Sequence, residues 1–272
     1  MIERLTNFLL YDKIQSKPVK SEHKIMRFER QEKIMELLRE SKSASIIKIA
    51  KRTGASEATV RRDLSALEKQ GLLRRTHGGA VIFESSNDET SALVRMTQSK
   101  DKKEKIATLA LSVIKEGKTF FFDSSSTVCS LAKIFNLKYK TVVTTGLNCA
   151  LTLSEKEDLN VIIPGGNVMF NSNSILGSLT LKNLTQYNSD IAVFSCAGIC
   201  GNLVTEATFE QSELKKLAHA NSSVRVLLVD SSKFDKKLPF TFGKTDDFDY
   251  IITDCRPPYS TIESTEKAKI IY

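Results

Sequence analysis

The chain has 272 residues, of which 41% are hydrophobic and 26% are charged. That length is sufficient for two domains with separate cores, and the composition excludes a protein dominated by disorder. The net charge of +8 is unevenly distributed, because residues 1–83 hold 18 Lys and Arg against 10 Asp and Glu, whereas residues 84–272 hold 22 of each. We therefore expect the amino-terminal third to bind a polyanion with salt-sensitive affinity.

The sequence also lacks the usual signs of a membrane, disulfide or metal protein. No stretch approaches the roughly 18 uninterrupted apolar residues of a membrane span, and the first thirty residues lack the order of a signal peptide, so we expect a cytoplasmic protein with no membrane partner. Paired Cys-x-x-Cys spacing is absent from the five cysteines, which are Cys129, Cys149, Cys196, Cys200 and Cys255. We predict that they are small core residues and that the protein has no metal and no cofactor. Redox sensing by Cys196 and Cys200 is the alternative.

Residues 1–25 contain an apolar cluster followed by a Lys-rich polar stretch, which predicts a mobile extension. Beyond it, Ile34, Leu37 and Leu38 predict one side of a first core helix. We predict a DNA-binding domain over residues 26–83.

Two short helices separated by a tight turn are predicted within that domain. Ile46, Ile49 and Ala50 recur at helical spacing, Gly54 breaks this first helix, and Ser56 can cap the second. Two helices joined across such a turn make a helix-turn-helix.

The second helix has one apolar face and one basic face. Its apolar stripe consists of Val60, Leu64 and Leu67. At 3.6 residues per turn the opposite face carries Ala58, Arg62, Ser65 and Lys69, flanked by Thr59 and Arg61. A recognition helix needs this arrangement, because small residues let the helix enter the major groove while Arg reaches guanine edges or phosphates. We assign Asp63, nearer the core margin, to a local ion pair or hydrogen bond and not to DNA.

A β-hairpin is predicted to follow. The runs LLRRT and AVIF flank His77, Gly78 and Gly79, and we expect the two glycines to supply the positive φ angles of a two-residue turn. Arg74, Arg75 and His77 are then expected along the phosphate backbone beside the groove, as a wing. A basic face is often merely solvated, but here a helix, a turn, a capped helix and a basic hairpin follow one another and agree.

The stretch SEATVRRDLSALEKQGLLRRTHGGAV resembles the winged helix of the DeoR family of bacterial transcription regulators. Members typically have a Ser-x-x-Thr-Ile-Arg-Arg-Asp-Leu run and a His-Gly-Gly-Ala wing, met here by Ser56, Thr59, Val60, Arg61, Arg62, Asp63, Leu64, His77, Gly78, Gly79 and Ala80. The candidate contacts to double-stranded operator DNA are Ser56, Thr59, Arg61, Arg62, Ser65, Lys69, Arg74, Arg75 and His77. The resemblance implies a repressor that self-associates through a sensor domain, as a homodimer or homotetramer.

A second domain is predicted over residues 103–256, after a polar linker at 84–102 and before a tail at 257–272. It opens with an amphipathic helix formed by Ile106, Leu109, Ala110, Val113 and Ile114 and closed by Gly117. Apolar runs at 119–123, 141–145, 159–163, 190–196, 224–230 and 250–254 then alternate with helical segments at 128–135, 147–153, 179–184 and 210–220. This alternation predicts a mainly parallel α/β sheet that is covered on both faces.

Hydroxyls, glycines and one lysine follow the predicted strands. They are Asp123, Ser124, Ser125, Ser126 and Thr127 after the first strand, Thr144, Thr145 and Gly146 after the second, Pro164, Gly165 and Gly166 after the third, Ala197 and Gly198 after the fourth, and Asp230, Ser231, Ser232 and Lys233 after the fifth. Ligands of open α/β sheets bind beyond the carboxyl ends of the strands, and free N–H groups at a helix start favour an anion. Singly these residues are caps, turns and a surface charge; together they predict a pocket for a phosphorylated polyhydroxyl molecule.

The second half is also similar to the DeoR family, whose sensor domain resembles the ribose-phosphate isomerase and coenzyme A transferase fold. The resemblance covers residues 27–256 and implies sugar-phosphate sensing. The matching positions are Asp123, Ser124, Thr127, Thr144, Gly165, Gly166, Gly177, Gly198, Glu210, Lys215, Asp230, Ser232 and Lys233.

The chain departs from the family pattern at a few of these loops. Ser125 and Ser126 replace the usual Gly-Thr, Thr145 and Gly146 replace Asn-Ser, and Ala197 stands where many members have a polar or acidic residue. Ser125 permits a backbone anion cradle if its φ angle is negative and obstructs a cradle that needs a positive one.

Three functions are weighed. We favour a non-enzymatic repressor of a carbohydrate-utilisation operon, whose operator affinity changes when a phosphorylated sugar binds. The alternative is an isomerase-like enzyme fused to a DNA-binding module, with Glu210 as general base and Lys215 or Lys233 as its electrostatic partner. A glutamate at a helix start more often stabilises the helix dipole. A purely architectural DNA-binding protein would leave the second domain without a role.

Overall fold

The structure is a computed structural model of the chain. It describes residues 30–81, except 32, 39, 70 and 71, and residues 92–272, except 170 and 171; of residues 69, 93 and 94 it describes the backbone alone. The chain forms two compact units that divide between Ser85 and Ser86. The extension predicted over residues 1–25 lies outside the described residues.

The first unit combines helices with a three-stranded antiparallel sheet. A helical segment within residues 30–41 is followed by β1 (Ser43–Ser45), α1 (Ile46–Thr53), α2 (Glu57–Lys69), β2 (Arg74–Thr76) and β3 (Gly79–Val81). The strand order is β1-β3-β2, so β1 adds a third strand to the predicted hairpin. The predicted helix-turn-helix and wing are both present.

Local signals set the ends of α1. The Ser45 hydroxyl accepts the N–H of Lys48 at 3.2 Å, and Gly54 ends the helix in the left-handed conformation, with a φ angle of 67°. The core beneath the helices consists of fully buried apolar side chains, including Ile34, Leu38, Ile49, Val60 and Leu64. Each such side chain contributes about 1.5–3 kcal/mol by leaving water.

The second unit is larger. In chain order its elements are α3 (Ala92–Thr97), α4 (Lys100–Val113), β4 (Thr119–Phe122), α5 (Ser126–Ile134), β5 (Lys140–Thr144), α6 (Leu147–Ser154), β6 (Leu159–Ile162), β7 (Asn167–Met169), β8 (Ser174–Leu176), α7 (Ser178–Leu184), β9 (Ser189–Ser195), β10 (Gly198–Cys200), β11 (Leu203–Glu206), α8 (Phe209–Ala220), β12 (Ser222–Val229), β13 (Phe240–Lys244), β14 (Tyr250–Thr253), α9 (Tyr259–Glu263) and β15 (Lys269–Ile271). Seven of the strands form one sheet in the order β15-β14-β12-β9-β4-β5-β6, and every pairing in it is parallel. The predicted parallel α/β sheet is confirmed.

Helices cover both faces of this sheet. On one face α4, α5 and α6 pack around Phe120 and Phe122, and on the other α7 and α8 pack around Phe121 and Phe194. Successive residues of a strand point to opposite faces, so the unbroken apolar run of β4 supplies both cores at once.

The predicted linker at 84–102 is wrong from Ala92 onward, because α3 and the first turn of α4 lie there. The two helices meet at Ser99, whose φ angle is 52°. Periodicity misses α3 because the helix has only 6 residues, too few to repeat an apolar pattern.

The predicted tail at 257–272 is also wrong. It contains α9 and β15, and β15 pairs in parallel with β14 at the end of the sheet. A strand of 3 residues that includes a lysine, as β15 does, gives no apolar run that a sequence pattern can detect.

Other small features complete the second unit. Sequence periodicity misses two small antiparallel sheets, β10-β11-β13 and β7-β8. Cys129, Cys149 and Cys196 are buried as predicted, whereas Cys200 is half-buried and Cys255 is exposed. Within the described ranges, each helix is too short or too polar to cross a bilayer.

Candidate functional site

α2 turns a basic face to solvent. Its apolar stripe is buried, and on the other side Ala58, Arg61 and Arg62 are exposed while Thr59 and Ser65 are half-buried. Arg61 lies 3.5 Å from Glu57, one turn earlier, in an exposed pair that contributes little to stability. The wheel derived from the sequence is therefore correct for these residues; the side chain of Lys69 lies outside the described residues.

The start of α2 is capped as predicted. The Ser56 hydroxyl accepts the backbone N–H of Thr59 at 3.3 Å, and the two hydroxyl oxygens are 2.9 Å apart. Both of these candidate DNA contacts thus also fix the first turn of the helix.

Asp63 is buried and faces the first helical segment. The Arg30 Nε atom lies 2.5 Å from Asp63 Oδ2, and the Gln31 amide donates to Oδ1 at 3.4 Å. The assignment of Asp63 to an ion pair is confirmed, but the pair is not local, because its partner lies 33 residues earlier in the chain. It fastens the first helical segment to α2.

The wing is anchored to both helices through its backbone. The N–H of Arg75 donates to Glu68 Oε1 on α2 at 2.8 Å, and the N–H of Ile46 on α1 donates to the carbonyl of Gly78 at 2.9 Å. The side chains of Arg74, Arg75 and His77 remain exposed. The three predicted phosphate contacts are therefore free to reach a polyanion.

The role predicted for the wing glycines is wrong. Neither Gly78 nor Gly79 has a positive φ angle. Gly79 is required because β1 runs beside β3 there: a Cβ atom at Gly79 would collide with the carbonyl oxygen of Ala44 and lie 2.8 Å from the Cα of Ser45. Gly78 faces open space, since its Cβ would meet nothing within 4 Å.

The carboxyl ends of the sheet strands bring the second set of candidates to one edge. Asp123 follows β4, Ala197 follows the neighbouring β9, and Lys233 follows β12, one strand further. Since neighbouring strands lie about 4.8 Å apart, Asp123 and Asp230, the residues directly after β4 and β12, lie roughly 10 Å from each other.

The loop after β4 forms the N-terminal cap of α5. Asp123 Oδ1 accepts the N–H of Ser125 at 2.8 Å, and the Ser125 hydroxyl caps α5 by accepting the N–H of Val128 at 3.2 Å. The backbone N–H groups of Ser126 and Thr127 begin the helix and have no intrahelical acceptor. Together with the helix dipole they favour an anion at this point.

Lys215 holds the end of β4 in place, and all the hydrogen-bond donors of its ammonium are used within the protein. Its Nζ atom lies 3.1 Å from Asp123 Oδ2, 2.5 Å from Glu206 Oε1 and 2.7 Å from the carbonyl oxygen of Ser195. Burial acts to lower the pKa of Lys215, but the two carboxylates outweigh it and hold the pKa above its ordinary value. An ammonium has three donors, so none is left for a ligand.

Lys215 does not pair with Glu210, which is one of the two pairings that the isomerase alternative allows. Glu210 is exposed in the first turn of α8, and the carboxylate beside Lys215 belongs to Glu206 at the end of β11. Lys215 is therefore excluded as the partner of Glu210. Lys233, the other candidate, makes no hydrogen bond or ion pair with Glu210 among the described residues.

A chain of buried polar side chains, missed by sequence reasoning, supports Ser124. The Ser174 hydroxyl donates to Ser124 Oγ at 2.7 Å, and the amide of Gln211 donates to Ser174 Oγ at 2.8 Å. Ser174 lies on the undetected strand β8. Gln211 carried a usable signal, because Thr208 three residues before it caps α8, as Ser or Thr does in the capping-box pattern.

The glycines and Thr144 shape the edge of the sheet. Gly165 and Gly166 have φ angles of 79° and 137°, and the Thr180 hydroxyl donates to the carbonyl of Gly165 at 2.8 Å. A Cβ atom at Gly198 would collide with the carbonyl oxygen of Lys236. The buried Thr144 hydroxyl accepts the N–H of Gly146 at 3.1 Å.

Lys233 is the cation of this edge that remains available. It is half-buried at the end of a 3-10 turn, Ser231–Lys233, which Asp230 caps by accepting the N–H of Ser232 at 3.1 Å. In the part of the chain that the structure describes, its ammonium has no hydrogen bond or ion pair.

Two family models match this chain in the same order as its two units. Residues 30–86 match the DeoR-like helix-turn-helix domain, and residues 98–255 match the DeoR C terminal sensor domain. The chain belongs to the DeoR family. The resemblance drawn from its motifs is therefore confirmed.

Relatives that match this chain over most of their length are named as transcriptional regulators or repressors. The chain is 31% identical over 229 residues to the HTH-type transcriptional regulator GolR of Listeria innocua, with 84% of this chain and 90% of the relative covered. It is 32% identical over 233 residues to the glycerol-3-phosphate regulon repressor of Escherichia coli, with coverages of 85% and 92%. It is also 32% identical over 233 residues to the lactose phosphotransferase system repressor of Streptococcus mutans, with coverages of 84% and 92%.

Solved structures give partial likenesses. Ribose 5-phosphate isomerase A from Methanocaldococcus jannaschii matches with a TM-score of 0.39 and 19% identity, over 52% of this chain and 57% of that one. eIF2B delta from Chaetomium thermophilum matches with a TM-score of 0.44 and 13% identity, over 60% and 59% of the two chains.

The Ser125 departure from the DeoR pattern is compatible with an anion cradle. The φ angle of Ser125 is −71°, in a region that any residue adopts. Serine replaces glycine here without backbone strain, and its hydroxyl serves as the cap of α5.

Proposed function

We propose that this DeoR family member is a repressor of a carbohydrate-utilisation operon and that a phosphorylated sugar changes its affinity for double-stranded operator DNA. The observation that carries the proposal is the exposed basic face of α2, which lies opposite a buried stripe and beside a wing anchored to both helices. Neither binding event needs a chemical step, so the proposed protein is not an enzyme.

In the proposed complex α2 enters the major groove. A helix of 13 residues is about 20 Å long, and B-DNA has a major groove about 12 Å wide that admits one helix. Arg62, at the centre of the exposed face, reads a guanine edge. Arg74, Arg75 and His77 on the wing contact phosphates, which position the protein without reading sequence.

The effector phosphate binds at the start of α5 in this proposal. The N–H groups of Ser126 and Thr127, the hydroxyl of Ser124 and the ammonium of Lys233 are its ligands. The names of two relatives, a glycerol-3-phosphate regulon repressor and a lactose phosphotransferase system repressor, support a phosphorylated carbohydrate as the class of effector.

The remaining candidates support the proposed pocket in two ways. Asp123, Thr144, Gly165, Gly166, Gly198 and Lys215 shape it through their contacts within the protein. Ser125 caps the helix, and the exposed Glu210 is left to accept a sugar hydroxyl. This division assigns Lys215 a positioning role and Lys233 a binding role.

The proposed repressor acts in the cytoplasm, as a homodimer or homotetramer. One winged helix contacts too few base pairs for useful specificity, and an operator with two half-sites requires a two-fold protein.

Two measurements test the proposal on the full chain. Selection from a random DNA pool should enrich one two-fold sequence, and a thermal-shift screen should find a phosphorylated sugar that stabilises the protein while its unphosphorylated form does not. That sugar phosphate should then change operator affinity in a gel-shift titration at fixed salt. Failure to enrich any sequence would refute DNA recognition, and turnover of a sugar phosphate would favour the isomerase alternative.

Lys233→Ala tests the effector half by itself. Loss of the ammonium should weaken binding of the sugar phosphate by roughly tenfold or more in calorimetry, because a charge-assisted contact to phosphate contributes about 1.5–3 kcal/mol. Operator affinity should stay unchanged. Lys237→Ala, at an exposed lysine nearby, is the matched control. Equal effector affinities of the two variants would assign the phosphate to another part of the molecule.

A further inference from the structure

The large sheet ends differently on its two sides. One side is closed by β15, a strand of 3 residues with the exposed Lys269, and short charged strands are a usual way of protecting a sheet edge. The other side is β6, which has 4 residues and no charge. Among the described strands, none pairs with the outer side of β6.

Charge is absent from the stretch that begins with β6, although Glu155, Lys156, Glu157 and Asp158 directly precede it. No Lys, Arg, Asp or Glu occurs in the 23 residues from Leu159 to Leu181, and none occurs from Thr141 to Ser154, although 26% of the chain is charged. Charged residues are depleted at the centre of protein interfaces.

Exposed apolar side chains concentrate at the same place. Of the 11 large apolar side chains that are exposed in the described residues, five lie on α6, β7, the first turn of α7 or directly after β6: Leu151, Ile163, Val168, Met169 and Leu179. We call the surface formed by α6, β7, the first turn of α7 and the residues directly after β6 the uncharged edge. Exposed apolar patches of this kind mark interaction sites.

Hydrogen bonds hold the parts of the uncharged edge to one another. The N–H of Leu147 at the start of α6 donates to Asn173 at 3.0 Å, next to β8. After β6, the carbonyl of Pro164 accepts the Asn183 amide of α7 at 2.7 Å. β7 pairs with β8. The surface is therefore pre-formed and does not need to fold on binding.

We propose that the uncharged edge is the contact surface for a second copy of this chain. The exposed apolar side chains of this surface, with no charged residue from Leu159 to Leu181, favour an apolar partner over DNA or a charged ligand. A two-fold axis brings β6 of one protomer antiparallel to β6 of its partner, which satisfies the open N–H and C=O groups of both. The two-fold symmetry of this contact rests on the proposed function, in which the protein binds an operator with two half-sites.

The test is sedimentation of the full chain at micromolar concentration. Leu151 and Val168 are 66% and 58% exposed, so Leu151→Asp with Val168→Asp should leave the fold intact, which circular dichroism checks. Four carboxylates in one interface should raise the dissociation constant roughly 100-fold or more. The control is Tyr259→Asp, at a side chain that is 73% exposed on α9.

The proposal expects a wild-type dimer, or a tetramer, that the double variant splits and the control does not. Met169→Lys, an independent substitution on β7, should act in the same direction. A monomeric wild type, or a double variant that associates like wild type, would overturn it. Neither result depends on DNA, so a failure of operator recognition would be seen separately, in the selection from random DNA.

Discussion

The two units place positive charge in opposite surroundings. Arg62 and Arg74 of the first unit are exposed, whereas Lys103 and Lys215 of the second unit are buried. An exposed guanidinium keeps its donors for a partner molecule, but a buried ammonium must find its acceptors inside the protein. The first unit thus offers its charge for binding, and the second uses buried charge to fix its own loops.

The largest effect is expected where buried charge is removed. Lys215→Met would leave Asp123 and Glu206 buried without their cation, so the free energy of unfolding should fall by about 3–5 kcal/mol. Lys216→Met is the control, since Lys216 is exposed and pairs with Glu213 at 2.8 Å, and it should cost less than about 1 kcal/mol. Urea unfolding followed by circular dichroism measures both. Equal losses in the two variants would contradict a special role for the buried pair.

The difference between the two units also explains why the sequence predicts the first unit well. The exposed face of α2, the cap at Ser56 and the helix end at Gly54 depend on residues within one or two turns of each other. Helical periodicity and capping rules act over that distance. The exposed face of α2 and the cap at Ser56 are therefore as predicted, whereas contact of these residues with DNA stays a prediction.

The second unit is predictable only in part, for a physical reason. Long apolar runs gave its strands, and the strand order brings Asp123 and Lys233 to one edge. The partner of Lys215 was missed because Glu206 lies on a short strand of a small antiparallel sheet. No local pattern specifies a contact between segments that are distant in the chain.

Gly79 tests a contact of this non-local kind in the first unit. Gly79→Ala would press a Cβ atom into the backbone of Ala44 and Ser45, so β1 or the wing must shift, at a cost of about 1–3 kcal/mol. Gly78→Ala should change stability by less than about 0.5 kcal/mol, because its Cβ meets open space. Thermal unfolding of the two variants distinguishes the roles. If Gly78→Ala were the more damaging, a turn requirement would be the better explanation.

Arg62 and Arg74 test whether the exposed charges have different roles. Arg62→Ala should weaken operator binding by about 1–3 kcal/mol and relax specificity at one base position, because a guanine contact is lost. Arg74→Ala should weaken binding to all sequences alike and reduce the salt dependence. Gel-shift titrations with operator and unrelated DNA, at two salt concentrations, measure both. Wild-type affinity in Arg62→Ala would mean that α2 is not the reading helix.

Lys103 and Lys215 are both buried, but their ammonium groups have different hydrogen-bond acceptors. The Lys103 ammonium donates to the backbone carbonyls of Arg95 and Gln98, the second at 2.8 Å, and so closes the corner between α3 and α4. Burial lowers the pKa of Lys103 to about 8; the charge of Asp230 opposes this shift. Neutral carbonyls do not offset burial as the carboxylates around Lys215 do.

A dependence of stability on pH is also expected from Lys103. The unfolded lysine keeps its proton up to a pKa of 10.5, whereas the folded one loses it at about 8. Between these values the unfolded chain binds more protons, so the free energy of unfolding should rise with pH, by at most about 1.4 kcal/mol per pH unit. Lys103→Met lacks this contribution, and other titrating groups cancel in the comparison. Urea unfolding of both proteins at about pH 7.5 and about pH 9.5 measures the difference in slope. Identical slopes would mean that the two carbonyls keep Lys103 charged in the folded protein.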